Sequence, residues 1–109
     1  MGNRRVEVAM TRLRIGHVGL NGHLKRFQMA DSDLCTTCNV IEDVPHFLME
    51  CRKYVWSRRK LKTNLARINV HQPDYRVLLG GGPYPSETQF KIAKLVEDFL
   101  EETGMIGSL

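Results

Sequence analysis

The chain has 109 residues and a mass of 12.5 kDa, and its residues are 42% hydrophobic and 7% aromatic. A chain of this length forms one domain or two small ones with little core, which leaves no room for a multidomain enzyme. Its three cysteines are an odd number, which argues against a closed disulfide framework. Because neither a signal-peptide pattern nor an apolar run of about 18 residues is visible, we expect an intracellular protein, cytoplasmic or nuclear, that does not span a membrane.

The formal net charge of +4 conceals a strong pattern along the chain. Residues 1–30 carry a net +5 and residues 52–67 a net +7, whereas residues 31–51 carry −5 and residues 68–109 carry −3. Two basic segments therefore flank an acidic segment that contains every cysteine. This asymmetry is typical of a protein that binds a polyanion such as nucleic acid, although a solvated helix face gives the same composition.

The first half of the chain predicts short helices around one tight loop. Apolar residues at helical spacing predict one helix over residues 6–15 and a second over residues 20–29. Residues 34–41 are expected to form a tight loop that carries the first two cysteines. Asp43 is then placed to cap a short helix that has Pro45 in its first turn.

The principal helix is predicted over residues 52–68, which contain neither glycine nor proline. Its opposite faces differ in character: one is apolar, and the other combines the only tryptophan with most of the bases. The predicted buried stripe consists of Tyr54, Leu61, Leu65 and Ile68.

A final amphipathic helix is predicted over residues 87–103. Ser86 and Gln89 have the spacing of a capping box, and Gly104 suits the C-cap. Its exposed face is acidic, so we expect it to lie away from nucleic acid. The apolar face consists of Ile92, Leu95, Val96, Phe99 and Leu100.

The strongest chemical signal is a CxxC pair followed by a histidine and a third cysteine, namely Cys35, Cys38, His46 and Cys51. Thiolates and imidazole suit a tetrahedral zinc ion, and a CxxC turn presents two sulfurs from one loop. Four protein ligands make a closed, structural site with no position for an activated water. We therefore predict one structural Zn²⁺.

The spacing of the second ligand pair carries a further prediction. His46 and Cys51 are five residues apart, which on a continuous α-helix separates them by about 140°. Both can reach one ion only if the helix is broken, so we predict a break near residues 50–51. The surrounding acids and the net negative charge of a zinc ion with three thiolates should turn this segment away from phosphate.

Two other interpretations of the cysteines stay open. They can be a redox pair or inert buried residues beside a satisfied core histidine. The chain offers no βαβ context of the kind that redox CxxC motifs occupy.

No Ser/His/Asp or paired-carboxylate spacing is recognisable, so we do not expect an enzyme. His17 and His23 are read as structural histidines, with phosphate or base contact as the alternative, and the glycine run 80–82 as a flexible loop.

Together these patterns predict an all-α fold: a small bundle of short helices stapled by one CCHC zinc site. We expect a single domain in three parts. The zinc-binding module with its basic helix occupies residues 1–70, a linker or turn region residues 71–85, and a C-terminal amphipathic helix that packs on the module lies within residues 86–109.

Several motifs in residues 10–61 occur in the order found in one known family. The segment resembles the carboxy-terminal region of reverse transcriptase polyproteins from non-LTR (LINE-type) retrotransposons. The tail, with Leu78-Leu79-Gly80 and Phe99-Leu100 before Thr103-Gly104, is also similar to the family's ending. The matching pieces are Thr11-Arg12-Leu13-Arg14 with Gly16-His17, His23-Leu24, Asp31-Ser32 with Leu34-Cys35 and Cys38, and His46-Phe47-Leu48 with Cys51.

Two positions depart from the family pattern without removing a ligand. Asp33 stands where the family often has proline, and Asn39 stands where glycine is usual, although asparagine tolerates the left-handed backbone. The resemblance implies a CCHC zinc-binding module that follows a polymerase and helps to bind the element's RNA or target DNA. It makes this chain a fragment, a degenerate copy or a domesticated remnant of such a polyprotein.

Two functions follow as expectations. The first is nucleic-acid binding by a basic surface on which Trp56 either stacks on bases or packs against the amino-terminal helices. The second is a zinc-stabilised protein-interaction module that docks on a polymerase or ribonuclease H domain. The expected nucleic-acid contacts are Arg12, Arg14, Lys25, Arg26, Arg52, Lys53, Trp56, Arg59, Lys60 and Arg67.

Overall fold

The computed structural model describes residues 4–15, 20 and 32–105. In these ranges the chain is helical and contains no strand beyond one isolated bridge, which confirms the predicted all-α class. The predicted helix 20–29, His17, His23, Lys25 and Arg26 lie outside the described residues. The α-helices are α1 (Arg4–Ile15), α2 (Val55–Arg67), α3 (Tyr75–Leu78) and α4 (Ser86–Thr103), and a π-helical segment (His46–Glu50) and a 3-10 turn (Arg52–Tyr54) precede α2.

The core lies where α2 packs against α4, with side chains from α1, the π-helical segment and α3 closing it. Both predicted apolar faces are confirmed. Leu61 and Leu65 are buried, and Tyr54 and Ile68 pack against them at the edge. On α4, four of the five predicted residues are buried and Leu95 is half-buried. The phenyl ring of Phe47, from the π-helical segment, lies 5.8 Å from that of Phe99 and so ties the two regions together.

The principal helix begins later than predicted. Residues 52–54 form a 3-10 turn, and its last residue, Tyr54, is the N-cap of α2 with the non-helical angles φ −117° and ψ 26°. The reason is that Arg52 is bound to the cysteine loop: its N–H group donates to the Cys38 sulfur at 3.2 Å. This contact fixes the backbone just before α2. The helix was predicted to begin at residue 52 because the segment lacks glycine and proline, and that pattern contains no information about a contact with Cys38.

The predicted capping box at the start of α4 is wrong. The helix begins at Ser86, so Pro85 occupies the N-cap and no side chain caps the helix there. Gln89 instead donates through Nε2 to the carbonyl of Tyr84 at 2.9 Å. The other end follows the prediction, because Gly104 adopts φ 71° at the C-cap.

The segment predicted as a linker, residues 71–85, contains a helical turn. Asp74 caps α3 by accepting from the N–H of Val77 at 3.0 Å, and Leu78 is buried in the core. Arg14 of α1 donates through Nε to the carbonyl of Leu79 at 2.7 Å. This segment is therefore tied to both the core and α1.

Candidate metal centre and basic face of α2

The cysteine loop is a tight hairpin closed by main-chain hydrogen bonds. Its two arms meet in an antiparallel bridge, and the N–H of Cys35 donates to the carbonyl of Val40 at 2.7 Å. Asn39 lies in the turn with φ 60°, and its N–H donates to the carbonyl of Cys35 at 2.9 Å. Asn39 thus adopts the left-handed conformation that asparagine was expected to tolerate here. The hairpin presents Cys35 and Cys38 on the same side.

The third ligand comes from a short helix that is capped as predicted. The carboxylate of Asp43 accepts from the N–H of His46 at 2.9 Å, and its carbonyl accepts from the N–H of Phe47 at 2.9 Å. Pro45, in the first turn, has no N–H that would need a partner. The cap holds His46, which is buried, against the cysteine loop.

The helix widens before it ends, and this widening resolves the spacing of the second ligand pair. The N–H of Cys51 donates to the carbonyl of His46 at 2.8 Å, a hydrogen bond from residue i+5 to residue i that defines a π-helix. The wider turn rotates the chain less per residue, so five residues bring Cys51 back toward the side of His46. Cys51 itself is extended, with φ −61° and ψ 125°, which confirms the predicted break. The π winding was not predicted.

The four predicted ligands meet at one point. Their ligand atoms all lie within 4.8 Å of one another, and the Cys51 sulfur lies 3.7 Å from that of Cys35 and 4.0 Å from that of Cys38. Tetrahedral zinc with Zn–S bonds of about 2.3 Å requires sulfurs roughly 3.8 Å apart. The three thiols are free and form no disulfide. This group can therefore hold a metal ion.

The imidazole of His46 independently indicates a missing partner. Both ring nitrogens are buried, and neither has a hydrogen bond; the Glu50 carboxylate lies 4.0 Å from Nδ1, beyond hydrogen-bond reach. Buried polar atoms nearly always have a partner, because leaving one unpaired costs about 1–3 kcal/mol. A metal ion on one nitrogen would satisfy it, and a small movement of Glu50 would satisfy the other.

The sulfurs sit in contrasting electrostatic surroundings. The hydrogen bond from the Arg52 N–H lowers the pKa of Cys38 to about 6, so its thiolate is stabilised without a metal. Burial raises the pKa of Cys51 to about 11. The Cys51 thiolate therefore needs a nearby positive charge, which a bound cation supplies.

Arg58 is a functional residue of this centre that the sequence interpretation missed. It is only 6% exposed, and its guanidinium donates to three main-chain carbonyls at the end of the π-helical segment. A cation at a helix C-terminus is stabilised by the helix dipole. The signal was present, since Arg58 lies three and seven residues before Leu61 and Leu65 and so shares their buried face. Its acceptors are Leu48 from Nε at 2.9 Å, Cys51 from Nη1 at 2.7 Å and Phe47 from Nη2 at 2.9 Å.

Two of the predicted nucleic-acid contacts instead support the cysteine loop. The Arg52 guanidinium donates through Nη2 to the carbonyl of Thr37 at 2.9 Å. Lys53 lies with its Nζ 3.8 Å from a carboxylate oxygen of Glu42. Both residues are exposed and also contact the segment that carries the candidate ligands, so their assignment as nucleic-acid contacts stays a prediction.

Other predicted contacts are divided between α1 and α2. Arg14 is engaged with the carbonyl of Leu79, and Arg12 is exposed on α1. Lys60 forms a 2.7 Å ion pair with Glu102 of α4, which also lowers the pKa of that carboxyl. Arg14 of α1 is therefore held by the segment before α4, whereas Lys60 of α2 is held by α4 itself.

Four of the ten predicted contacts line one shallow groove on α2. The indole of Trp56 is 73% exposed, and the Arg59 guanidinium lies 4.9 Å from its ring centre. This exposure argues against packing of Trp56 on α1, whereas the second predicted amino-terminal helix lies outside the described residues. The groove is lined by Trp56, Arg59, Lys60, Thr63, Asn64 and Arg67.

In comparisons with protein-family models, curated proteins and solved structures, the chain gives no significant match. Among the described residues, none of the helices has both the length and the apolar character needed to cross a bilayer. Function is therefore inferred from the metal centre and from the groove on α2.

Proposed function

We propose that the protein is a zinc-stabilised module that binds nucleic acid, RNA or DNA, through the exposed face of α2. This face, the α2 stripe, consists of Trp56, Arg59, Lys60, Thr63 and Arg67. The observation that carries the proposal is the exposed indole of Trp56 beneath the Arg59 guanidinium. Tryptophan is usually largely buried, and an exposed one among bases suits stacking on nucleotides.

The charge of the stripe supports a polyanionic ligand. Residues 52–67 contain seven bases and no acid, and the stripe residues recur at helical spacing along one side of α2. Lysine and arginine side chains on such a face neutralise phosphates and release condensed counterions. None of the residues that line this groove comes from residues 31–51, the acidic segment that contains the candidate metal ligands.

The metal is proposed to be one structural Zn²⁺. Three thiolates and one imidazole are the soft and borderline donors that zinc favours, and a closed donor set provides no site for catalysis. The residues that would hold it are Cys35, Cys38, His46 and Cys51. Arg58 then provides a buried positive charge beside a centre that carries a net negative charge.

The origin of the module is proposed from the resemblance to the carboxy-terminal region of non-LTR retrotransposon reverse transcriptase polyproteins. The order of the four candidate ligands along the chain supports that origin. In this setting the module binds the element's RNA or its target DNA, and the polymerase elsewhere in the polyprotein performs the chemistry.

A salt-titrated binding assay tests the proposal. Fluorescence anisotropy with labelled RNA and DNA should show affinity falling roughly 10- to 100-fold between 50 and 200 mM salt, as expected for a few phosphate contacts. The double variant Arg59→Ala/Arg67→Ala should weaken binding at least about 10-fold. Lys91→Ala/Lys94→Ala on α4 removes the same charge elsewhere and should have little effect. Equal losses in both variants, or no binding, would contradict the proposal.

A protein-interaction module is the second candidate, and one observation favours it. Leu34, Val40 and Ile41 of the cysteine hairpin are exposed by 37%, 47% and 52%. Exposed apolar side chains that cluster are typical of protein contacts. A pull-down with a polymerase or ribonuclease H domain separates the candidates: a complex that persists in excess RNA competitor, and is lost with Val40→Ser/Ile41→Ser, supports this second function.

A further inference from the structure

We infer that the ligand of the α2 stripe is a single strand of nucleic acid, with one unpaired base stacked on Trp56. This inference rests on the proposed function and deepens it. Three features of the structure carry it: the shape of the stripe, the surroundings of the indole, and a row of acids on α4.

The stripe runs along most of α2 and covers about 100° of its circumference. Trp56 and Arg67 are separated by eleven residues, which on an α-helix places them within about 20° of each other and roughly 16 Å apart. Arg59, Lys60 and Thr63 lie between them and line the same groove. Trp56, Thr63 and Arg67 lie within about 40° of one another along α2, and Arg59 and Lys60 flank them. One aromatic platform with bases beside it along the helix suits one sugar–phosphate backbone with a base turned toward the protein.

The indole offers one face for stacking. Arg59 lies over the ring at 4.9 Å from its centre, and the 73% exposure of Trp56 leaves the remaining surface open to solvent. A base inside a duplex has both faces covered by its neighbours, so only an unpaired or extruded base can stack there. A base on the open face would form a stack of guanidinium, indole and base.

A row of carboxylates disfavours a duplex. α4 carries Glu97, Asp98, Glu101 and Glu102 within six residues, and it packs alongside α2. Asp98 and Glu102 line the cleft between the two helices next to Lys60. A helix in a major groove about 12 Å wide meets phosphates on both sides, so one duplex strand would lie against these acids. A single strand in the groove on α2 would meet a lining that contains no acid, with Lys60 of that lining paired to Glu102 of α4.

The emission of Trp56 provides a direct test, because it is the only tryptophan in the chain. The zinc-loaded full chain is titrated with oligouridine, oligothymidine, and RNA and DNA duplexes of matched length. We expect single strands to quench the emission and to bind at least about 10-fold more tightly than duplexes. Comparing the two single strands separates RNA from DNA as the source of the ligand.

Variants separate stacking from charge. Trp56→Ala should weaken single-strand binding about 10-fold or more, whereas Trp56→Phe, which keeps an aromatic face, should retain most of the affinity. Asp98→Asn/Glu101→Gln removes acids from the row and should raise duplex affinity more than single-strand affinity. Zinc content and circular dichroism of each variant show that it is folded.

The outcomes distinguish this inference from the proposed function. Salt-dependent nucleic-acid binding without quenching, or with a preference for duplex, overturns the single-strand inference and leaves the proposed function standing. Binding to no nucleic acid overturns both. Tighter binding to vesicles of anionic phospholipid than to oligonucleotides also overturns both, because it assigns the basic stripe to a membrane surface.

Discussion

The Nη1 of Arg58 donates a 2.7 Å hydrogen bond to the main-chain carbonyl of Cys51, so a buried cation of α2 holds the backbone of a candidate metal ligand. The same guanidinium holds the carbonyls of Phe47 and Leu48 and lies 5.9 Å from the ring centre of Phe99. One side chain therefore connects the metal centre to the packing of α2 on α4. The stability of the fold and the geometry of the centre should respond together to its removal.

Replacing Arg58 tests this connection. Arg58→Met should destabilise the zinc-loaded protein by about 3 kcal/mol or more, because three buried carbonyls lose a charged donor. Arg58→Lys should recover only part of the loss, since an ammonium group cannot reproduce the planar fork. Urea unfolding at neutral pH measures the change. Arg59→Met, an exposed neighbour on α2, is the matched control and should change the unfolding free energy by less than about 0.5 kcal/mol.

Metal content is the next prediction. Protein purified under reducing conditions should contain one zinc ion per chain, and chelation should lower its melting temperature sharply, because metal binding contributes to folding. His46→Ala and Cys35→Ala should lose the metal. His71→Ala, at an exposed histidine, should retain it. Elemental analysis without stoichiometric zinc in the wild-type protein would refute the assignment.

Thiol reactivity should report the opposite pKa shifts of two ligands. In the metal-free, reduced protein at pH 7, Cys38 should be alkylated well before Cys51, because its pKa is about 6 and it is less buried. The rate at Cys38 should fall as the pH drops through about 6, since the thiolate becomes protonated. Cys51, with a pKa of about 11, should stay slow until the pH approaches that value. Peptide mass spectrometry resolves the two sites, and equal rates at pH 7 would count against the arrangement.

Asn39 provides a test of backbone strain at the cysteine turn. Its φ of 60° is the left-handed conformation, which costs an ordinary side chain about 1 kcal/mol. Asn39→Ala should therefore lower the free energy of unfolding by about that amount, whereas Asn39→Gly should be neutral or slightly stabilising. Thermal unfolding of both zinc-loaded variants checks the pair. If alanine and glycine behave alike, strain does not govern this position.

Much of the architecture could be predicted from local signals in the sequence. The apolar spacing of α4, the cap at Asp43 and the ligand quartet are local patterns whose meaning does not depend on the rest of the fold. The start of α2 could not be predicted in the same way, because the contact between Arg52 and Cys38 joins residues fourteen positions apart. Tertiary contacts of this kind override helix propensity.

The roles of the charged residues were harder to predict for a related reason. Composition distinguishes basic from acidic segments, but it does not show which bases are already engaged within the protein. Lys60 meets Glu102 only because α2 and α4 pack side by side, and Lys53 meets Glu42 only through the cysteine hairpin. Trp56 was correctly placed on the basic face of its helix because its position depends on helical periodicity alone.

The residues of the π-helical segment have two alternative hydrogen-bonding patterns, α-helical and π-helical. In an α-helical frame the carbonyl of His46 would receive the N–H of Glu50, whereas in this protein it receives the N–H of Cys51. The two patterns differ by one residue in the donor, and the π-helical one places the ligand atoms of His46 and Cys51 within 4.8 Å of each other. A metal ion held by His46 and Cys51 would therefore stabilise the π-helical hydrogen bonding of these residues relative to the α-helical alternative.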